Sequence, residues 1–163
     1  MKSEAARRAA RLLRECRVAA LGTLHDGAPA VSMVPYAVVA DPFALVVLVS
    51  ALSAHTRDMR QSPRVALMAT EPEHPDRPVH ALARVSLDVQ AIPLEHADEH
   101  HAAAQAAYAA RFPDMTMLFG LGDFALFTLA PLAVRAVFGF AQAHSLTPAA
   151  LARAWVETSV PAR

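Results

Sequence analysis

The stretch SALSAHTRDMRQSPRVALMA, residues 50–69, sets hydroxyls, an imidazole and three arginines between two apolar runs. Ser50 closes the first run. Ser53, His55 and Thr56 then stand where a short helix would open, with Arg57 one residue further on. The first turn of a helix has unpaired backbone N–H groups and the positive end of the dipole. Hydroxyls and a guanidinium added there make a seat for an anion such as a phosphate. Arg64 follows the next turn and is a further cation in reach. Local chemistry alone leaves a plainer reading open, in which Ser53 caps its helix and Arg57, Arg60 and Arg64 are solvated.

Three other groups of residues compete for chemistry. HADEH, residues 96–100, fits the inverted zincin pattern, with His96 and His100 on one helical face and Glu99 as base. A third protein ligand would be required, and Glu157, in the last helix, is the only glutamate downstream; the surrounding alanines read as a helix with a wet histidine face, so no metal is expected. Arg7, Arg8, Arg11 and Arg14 share a segment with Glu4 and Glu15 and read as a solvated helix face. Cys16 is the single cysteine, which excludes an internal disulfide and suits a reducing cytoplasm; it is expected to be a buried residue at the end of the first helix. No serine or cysteine has the neighbours of a nucleophile.

The elements that must position these residues follow from periodicity. Residues 3–16 read as an amphipathic helix capped by Ser3. VAALGTL and AVSMVPYAVV flank an Asp26-Gly27 turn and read as a hairpin. ALVVLVS is a strand with no alternation, which suggests burial on both faces. Residues 53–62 are a short helix ended by Pro63, and RVALMAT is the next strand. EPEHPDRP is a loop. VHALARVSLDVQAI is a long strand with Arg84, Ser86, Asp88 and Gln90 outward. Pro93 is expected to start a second long helix that Pro113 ends. FGLGDFALFTLAPLAVRAVFGF supplies a glycine-punctuated loop and one or two closing strands, and Thr147-Pro148 opens a last helix over about 147–158.

This order predicts a mainly β, α+β chain: one domain over residues 1–163, built as an antiparallel barrel with flanking helices. The absence of β-α-β spacing and of glycine-rich nucleotide loops removes the common nucleotide folds. The chain has 15 basic and 15 acidic residues and no net charge, which disfavours nucleic-acid and anionic-membrane partners. Its longest apolar runs are cut by Asp41-Pro42 and by Asp123, Pro131 and Arg135, so no membrane span is expected. No secretory signal is evident either, because Arg14, Glu15 and Arg17 interrupt the segment that would have to be its apolar part.

The strand ALGTL, the turn DGAP, VSMVPYAV, SALSAHTRDM and SPRVAL together resemble the pyridoxamine 5′-phosphate oxidase-like, FMN-binding split-barrel superfamily. FGLGDFALFTLAPLAVRAVFGFAQA is similar to the closing strands of its haem-utilisation subgroup. The resemblance spans roughly residues 8–144. It implies a six-stranded antiparallel split barrel, a cytoplasmic homodimer, and an FMN in each of two clefts at the dimer interface, acting as a flavin-dependent oxidoreductase on a small molecule. It places Ser32, Met33, Val34, Pro35 and Tyr36 beside the isoalloxazine. It places Ser50, Leu52, Ser53, His55, Thr56, Arg57 and Arg64 on the ribityl phosphate. The sequence WVETSVPAR does not match the arginine-rich tail that grips a vitamin B6 phosphate, so that substrate is not expected. The alternatives are a haem-binding protein on the same barrel, for which Asp123 and His144 are the candidate iron-related residues, and a binding module without cofactor.

Overall fold

A computed structural model of the chain describes residues 2–159. Among the described residues four α-helices and eight strands follow one another as α1 (Lys2–Glu15), β1 (Val18–His25), β2 (Ala28–Pro35), β3 (Ala37–Ala40), β4 (Phe43–Ser50), α2 (Ala54–Gln61), β5 (Arg64–Thr70), β6 (Arg84–Leu94), α3 (His101–Arg111), β7 (Phe124–Val137), β8 (Ala143–Leu146) and α4 (Pro148–Glu157), with short 3-10 turns at Val79–Ala81 and Pro113–Gly120. The strands form one antiparallel strip in the order β2-β1-β5-β6-β7-β4-β3, with β8 added beside β7. The strip curls until β2 touches β4. No ladder joins those two strands among the described residues, so the barrel is split there rather than closed. The expected count of six treats β2 and β3 as one strand. They are separated only at Tyr36, whose amide turns to the Arg17 carbonyl at 3.2 Å while its hydroxyl donates to the Leu13 carbonyl at 2.9 Å. β8 is the other addition.

Alternation decides the faces. Ala19, Leu21, Val65, Leu67, Val85, Leu87, Val89, Phe127 and Leu129 point inward and form the main core with the alanine and leucine face of α1. Arg84, Ser86, Asp88 and Gln90 point outward, as their spacing predicts. β4 is buried over six consecutive residues because its inner face meets this core and its outer face lies under α3. The hairpin turn has Asp26 at φ 51° and Gly27 at φ 80°, the pair of positive angles that a tight two-residue turn needs. Thr147 caps α4 by accepting the Ala150 amide at 3.1 Å.

Several expectations are corrected. α1 begins at Lys2, so Ser3 lies inside it and accepts from Arg7 instead of capping. Pro93 does not start a helix; the ladder of β6 against β7 continues through Leu94, and α3 begins only at His101. Between them Asp98 accepts the Glu95 amide at 2.6 Å, a side-chain turn that replaces the first helical turn. His96, Glu99 and His100 therefore share no helical face, and the zincin pattern dissolves. The arginines of α1 are not simply solvated. Arg14 stacks on Trp155 at 4.0 Å and donates to the Trp155 carbonyl, and Arg8 stacks on Phe138 at 4.3 Å. Cys16 is half-buried rather than buried, with its thiol against the Thr70 carbonyl at 3.3 Å. The open carbonyls at the end of α1 are met by Arg111 of α3, which donates to those of Arg14 and Cys16.

Candidate functional site

The head of α2 follows β4 directly, so the register of β4 against β7 fixes where it opens. Ser50 pairs with Phe124 at the end of that ladder. Its hydroxyl donates to the Asp123 carboxylate at 3.0 Å and accepts the Leu52 amide at 3.2 Å, while the Ala51 amide donates to the Asp123 carbonyl at 2.6 Å. The hydroxyl of Thr56, buried in the first turn, donates to the Ser50 carbonyl at 2.6 Å. These contacts tie the strand end to the helix start and leave Ser50 and Thr56 mostly committed.

The remaining groups are free. Ser53 sits at the N-cap with extended backbone angles, yet its side chain caps nothing. The amides of Ala54 and His55 donate to no protein acceptor among the described residues. Arg57 is exposed and forms no ion pair among the described residues. His55 is half-buried, and burial pushes its imidazole below the usual range, which keeps it neutral near pH 7. A serine hydroxyl, two amides and a guanidinium at the positive end of an eight-residue helix suit an anion. The solvated, capped reading fails at Ser53 because the cap bond it requires is absent. Leu52 is 84% exposed beside this seat.

Other expected site residues fall elsewhere. Arg64 points from β5 across the outer sheet face to Asp88, with its Nε donating at 3.1 Å, so it does not return to the head of α2. On β2 the side chains alternate. Val34 and the neighbouring Tyr36 are buried in the core, and burial raises the Tyr36 phenol well above its normal range. They can offer a ligand only backbone atoms. Met33 faces outward and is 64% exposed; Pro35 is half-buried. Ser32 points inward, and its hydroxyl is buried with no partner among the described residues. A buried orphan hydroxyl is uncommon and marks a place where a ligand oxygen would be welcome.

Asp123 and His144 do not act together within one protomer. Asp123 precedes β7, whereas His144 pairs with Ala136 near its far end and packs against Phe138. At roughly 3.3 Å per residue the two are about 40 Å apart along the strand. Asp123 serves Ser50 instead.

One cluster was missed by sequence reasoning. Asp58 of α2 has a side chain only 3% exposed. It accepts from Thr23 at 2.9 Å and faces Nδ1 of His25 at 2.8 Å. Carboxylate and hydrogen bond together raise the His25 pKa, and the same contact lowers that of Asp58. The cluster fastens the β1–β2 hairpin to α2, the two segments that carry the candidate site. The signal available was an acidic residue on the apolar side of a short helix, which must be partnered when buried.

A family model for pyridoxamine 5′-phosphate oxidase matches residues 5–138. The chain is 31% identical over 123 residues to "Heme oxygenase HutZ" of Vibrio cholerae, covering 75% of this chain and 69% of that protein. The heme binding protein from Mycobacterium smegmatis superposes with a TM-score of 0.82 at 30% identity, over 91% of this chain and 60% of that one. A FAD-binding protein from Mesorhizobium loti shares the fold, with a TM-score of 0.62 at 21% identity, over 77% of this chain and 87% of that one. This chain spans about 60% of the length of the mycobacterial relative. With its split strip, its uncapped α2 and these likenesses, the chain belongs to the pyridoxamine 5′-phosphate oxidase family and matches its HutZ-like, haem-utilisation branch.

Proposed function

We propose that this protein binds haem as a homodimer and serves haem utilisation. The observation that carries the reading is the uncapped head of α2, where Ser53, the Ala54 and His55 amides and Arg57 have no competing protein acceptor among the described residues. Haem is a flat apolar ring with two carboxylate arms, and such an arm fits this anion seat. The names of the two relatives near 30% identity favour haem over flavin. Haem supplies redox-active iron; the chain binds and orients it. His55 is the neutral imidazole at the seat, in the protonation state a metal ligand needs. The second copy would cover the bare outer face of β2, β1 and β5, where Val31, Met33 and Met68 are exposed.

A second reading, FMN and a flavin-dependent oxidation of a small molecule, is favoured by the buried, unpartnered Ser32 hydroxyl. The resemblance puts Ser32 beside the isoalloxazine, whose pyrimidine end takes polar edge contacts that such a hydroxyl can make. Titration of the purified protein with hemin and, separately, with FMN decides between the two. The haem reading expects a saturable Soret band near one equivalent per chain and no quenching of FMN fluorescence. Saturable flavin quenching with no Soret band would replace it by the second reading.

A further inference from the structure

A polar cavity under the start of α3 belongs to neither reading. It has a volume of about 250 Å³ and is floored by Leu48, Phe124 and Leu126. Arg60, His96, His101 and Gln105 line its polar side. His101 is 9% exposed, and its ring forms no hydrogen bond to protein among the described residues. His96 stacks on it with centroids 4.6 Å apart. Arg60 lies over the Phe127 ring at 5.3 Å and forms no ion pair among the described residues. The His101 ring is buried as a whole and borders the cavity, so a ligand there is within reach of a ring with no protein hydrogen-bond partner among the described residues.

The groups share one capacity. Two imidazoles, a guanidinium and a side-chain amide all donate hydrogen bonds. His101 and Gln105 stand one turn apart at the positive end of α3. Glu95 is the one opposing charge on the lining, and it is exposed to solvent, which screens it. A bound cation is disfavoured, since no group of three metal-binding side chains occurs among the described residues. We propose that this cavity is a second anion site, taking a small oxyanion such as a phosphate or a carboxylate through Arg60, His96, His101 and Gln105.

The test is histidine-detected NMR of the full chain, titrated with inorganic phosphate and separately with acetate against a chloride control at constant ionic strength. The expected result is a saturable shift of the His96 and His101 resonances with at least one probe. Which probe saturates names the source chemistry. Arg60→Gln should weaken that binding about tenfold, the loss of one charge-assisted hydrogen bond, without moving the melting temperature by more than a few degrees. His96→Phe keeps the ring stack, removes its donors, and should weaken binding independently of Arg60. The proposal is overturned if neither oxyanion shifts these resonances, if both variants bind as the parent does, or if zinc shifts them where the oxyanions do not. It also fails if Arg57→Ala abolishes the shift, because the anion would then sit at the head of α2.

Discussion

The two outer faces of the same sheet are treated differently. Over β3, β4 and β7 the chain lays α3, and Tyr108 and Phe112 close on Val46, Leu48 and Leu126. Over the outer face of β2, β1 and β5 no helix lies among the described residues, and Val31 stands 78% exposed with Met33 and Met68 beside it. Both faces are apolar, so hydrophobicity alone would have covered both. One face is finished within the protomer, and the other is the face that the proposed second copy would cover. Substitutions on the two faces should therefore report different things.

The largest effect belongs to the covered face. Tyr108 is 2% exposed, with its ring 4.8 Å from that of Phe112. Tyr108→Ala removes an aromatic ring from a closed cluster and should cost about 3–5 kcal/mol in urea unfolding. A loss below about 1 kcal/mol would mean that α3 is only loosely laid on the sheet. On the bare face Met33→Asp should leave the folded monomer nearly unchanged, within about 0.5 kcal/mol, as for surface substitutions generally. It should instead convert a dimer to a monomer in sedimentation velocity. If the parent protein is monomeric at all concentrations, the contrast between the faces has another cause.

The same asymmetry explains what was readable in the sequence. Strict alternation in residues 84–90 marks one inward face, and the unbroken run of residues 44–49 marks burial on both faces, because burial acts on each strand separately. The start of α3 was misread because Pro93 suits a first helical turn equally well, and only the long-range ladder with Phe127 holds it in a strand. At the site, Ser53 and Arg57 were legible as local helix-start chemistry. Arg64 was not, since its partner Asp88 lies 24 residues away on the neighbouring strand. Val34 and Tyr36 turn their side chains inward, so a ligand beside β2 meets them through backbone atoms, and only the register of the strand shows this. His25 and Asp58 were invisible for the reason that hid Arg64: a pair 33 residues apart leaves no local pattern.

The seam between the two faces is where α2 sits, and Arg57 tests whether it is a ligand seat. Arg57→Ala should weaken binding of the cofactor by about 1.5–3 kcal/mol, the range for a hydrogen bond to a charged group, with little change in unfolding free energy. Hemin and FMN titrations of parent and variant measure it. Equal affinity in both would remove Arg57 from the seat and leave the apolar face as the binding determinant.

The smallest effect concerns how the bare half is held on. Thr23 and His25 of the hairpin both reach Asp58, and this polar contact helps tie the half without a covering helix to α2. His25 faces two carboxylates, Asp58 and Asp26, and the cation of Arg57 opposes its charge. Its folded pKa is raised from 6.5, so its contribution to stability is complete below about pH 6.5 and is lost as pH rises through the raised value. The Asp58 pKa is lowered from 3.8, so its contribution is present above about pH 3.8 and is lost as pH falls through the depressed value. The two conditions overlap between about pH 4 and 6.5, where hydrogen exchange at the β1–β2 amides should be slowest after correction for its intrinsic pH dependence. His25→Gln keeps a donor but cannot gain a charge, and should flatten the alkaline side of that profile. The amides of β4 and β7, under α3, should show the same profile in parent and variant, since α3 and not the hairpin covers that face. A pH profile altered equally on both faces would mean that the tether holds the whole barrel rather than its bare half.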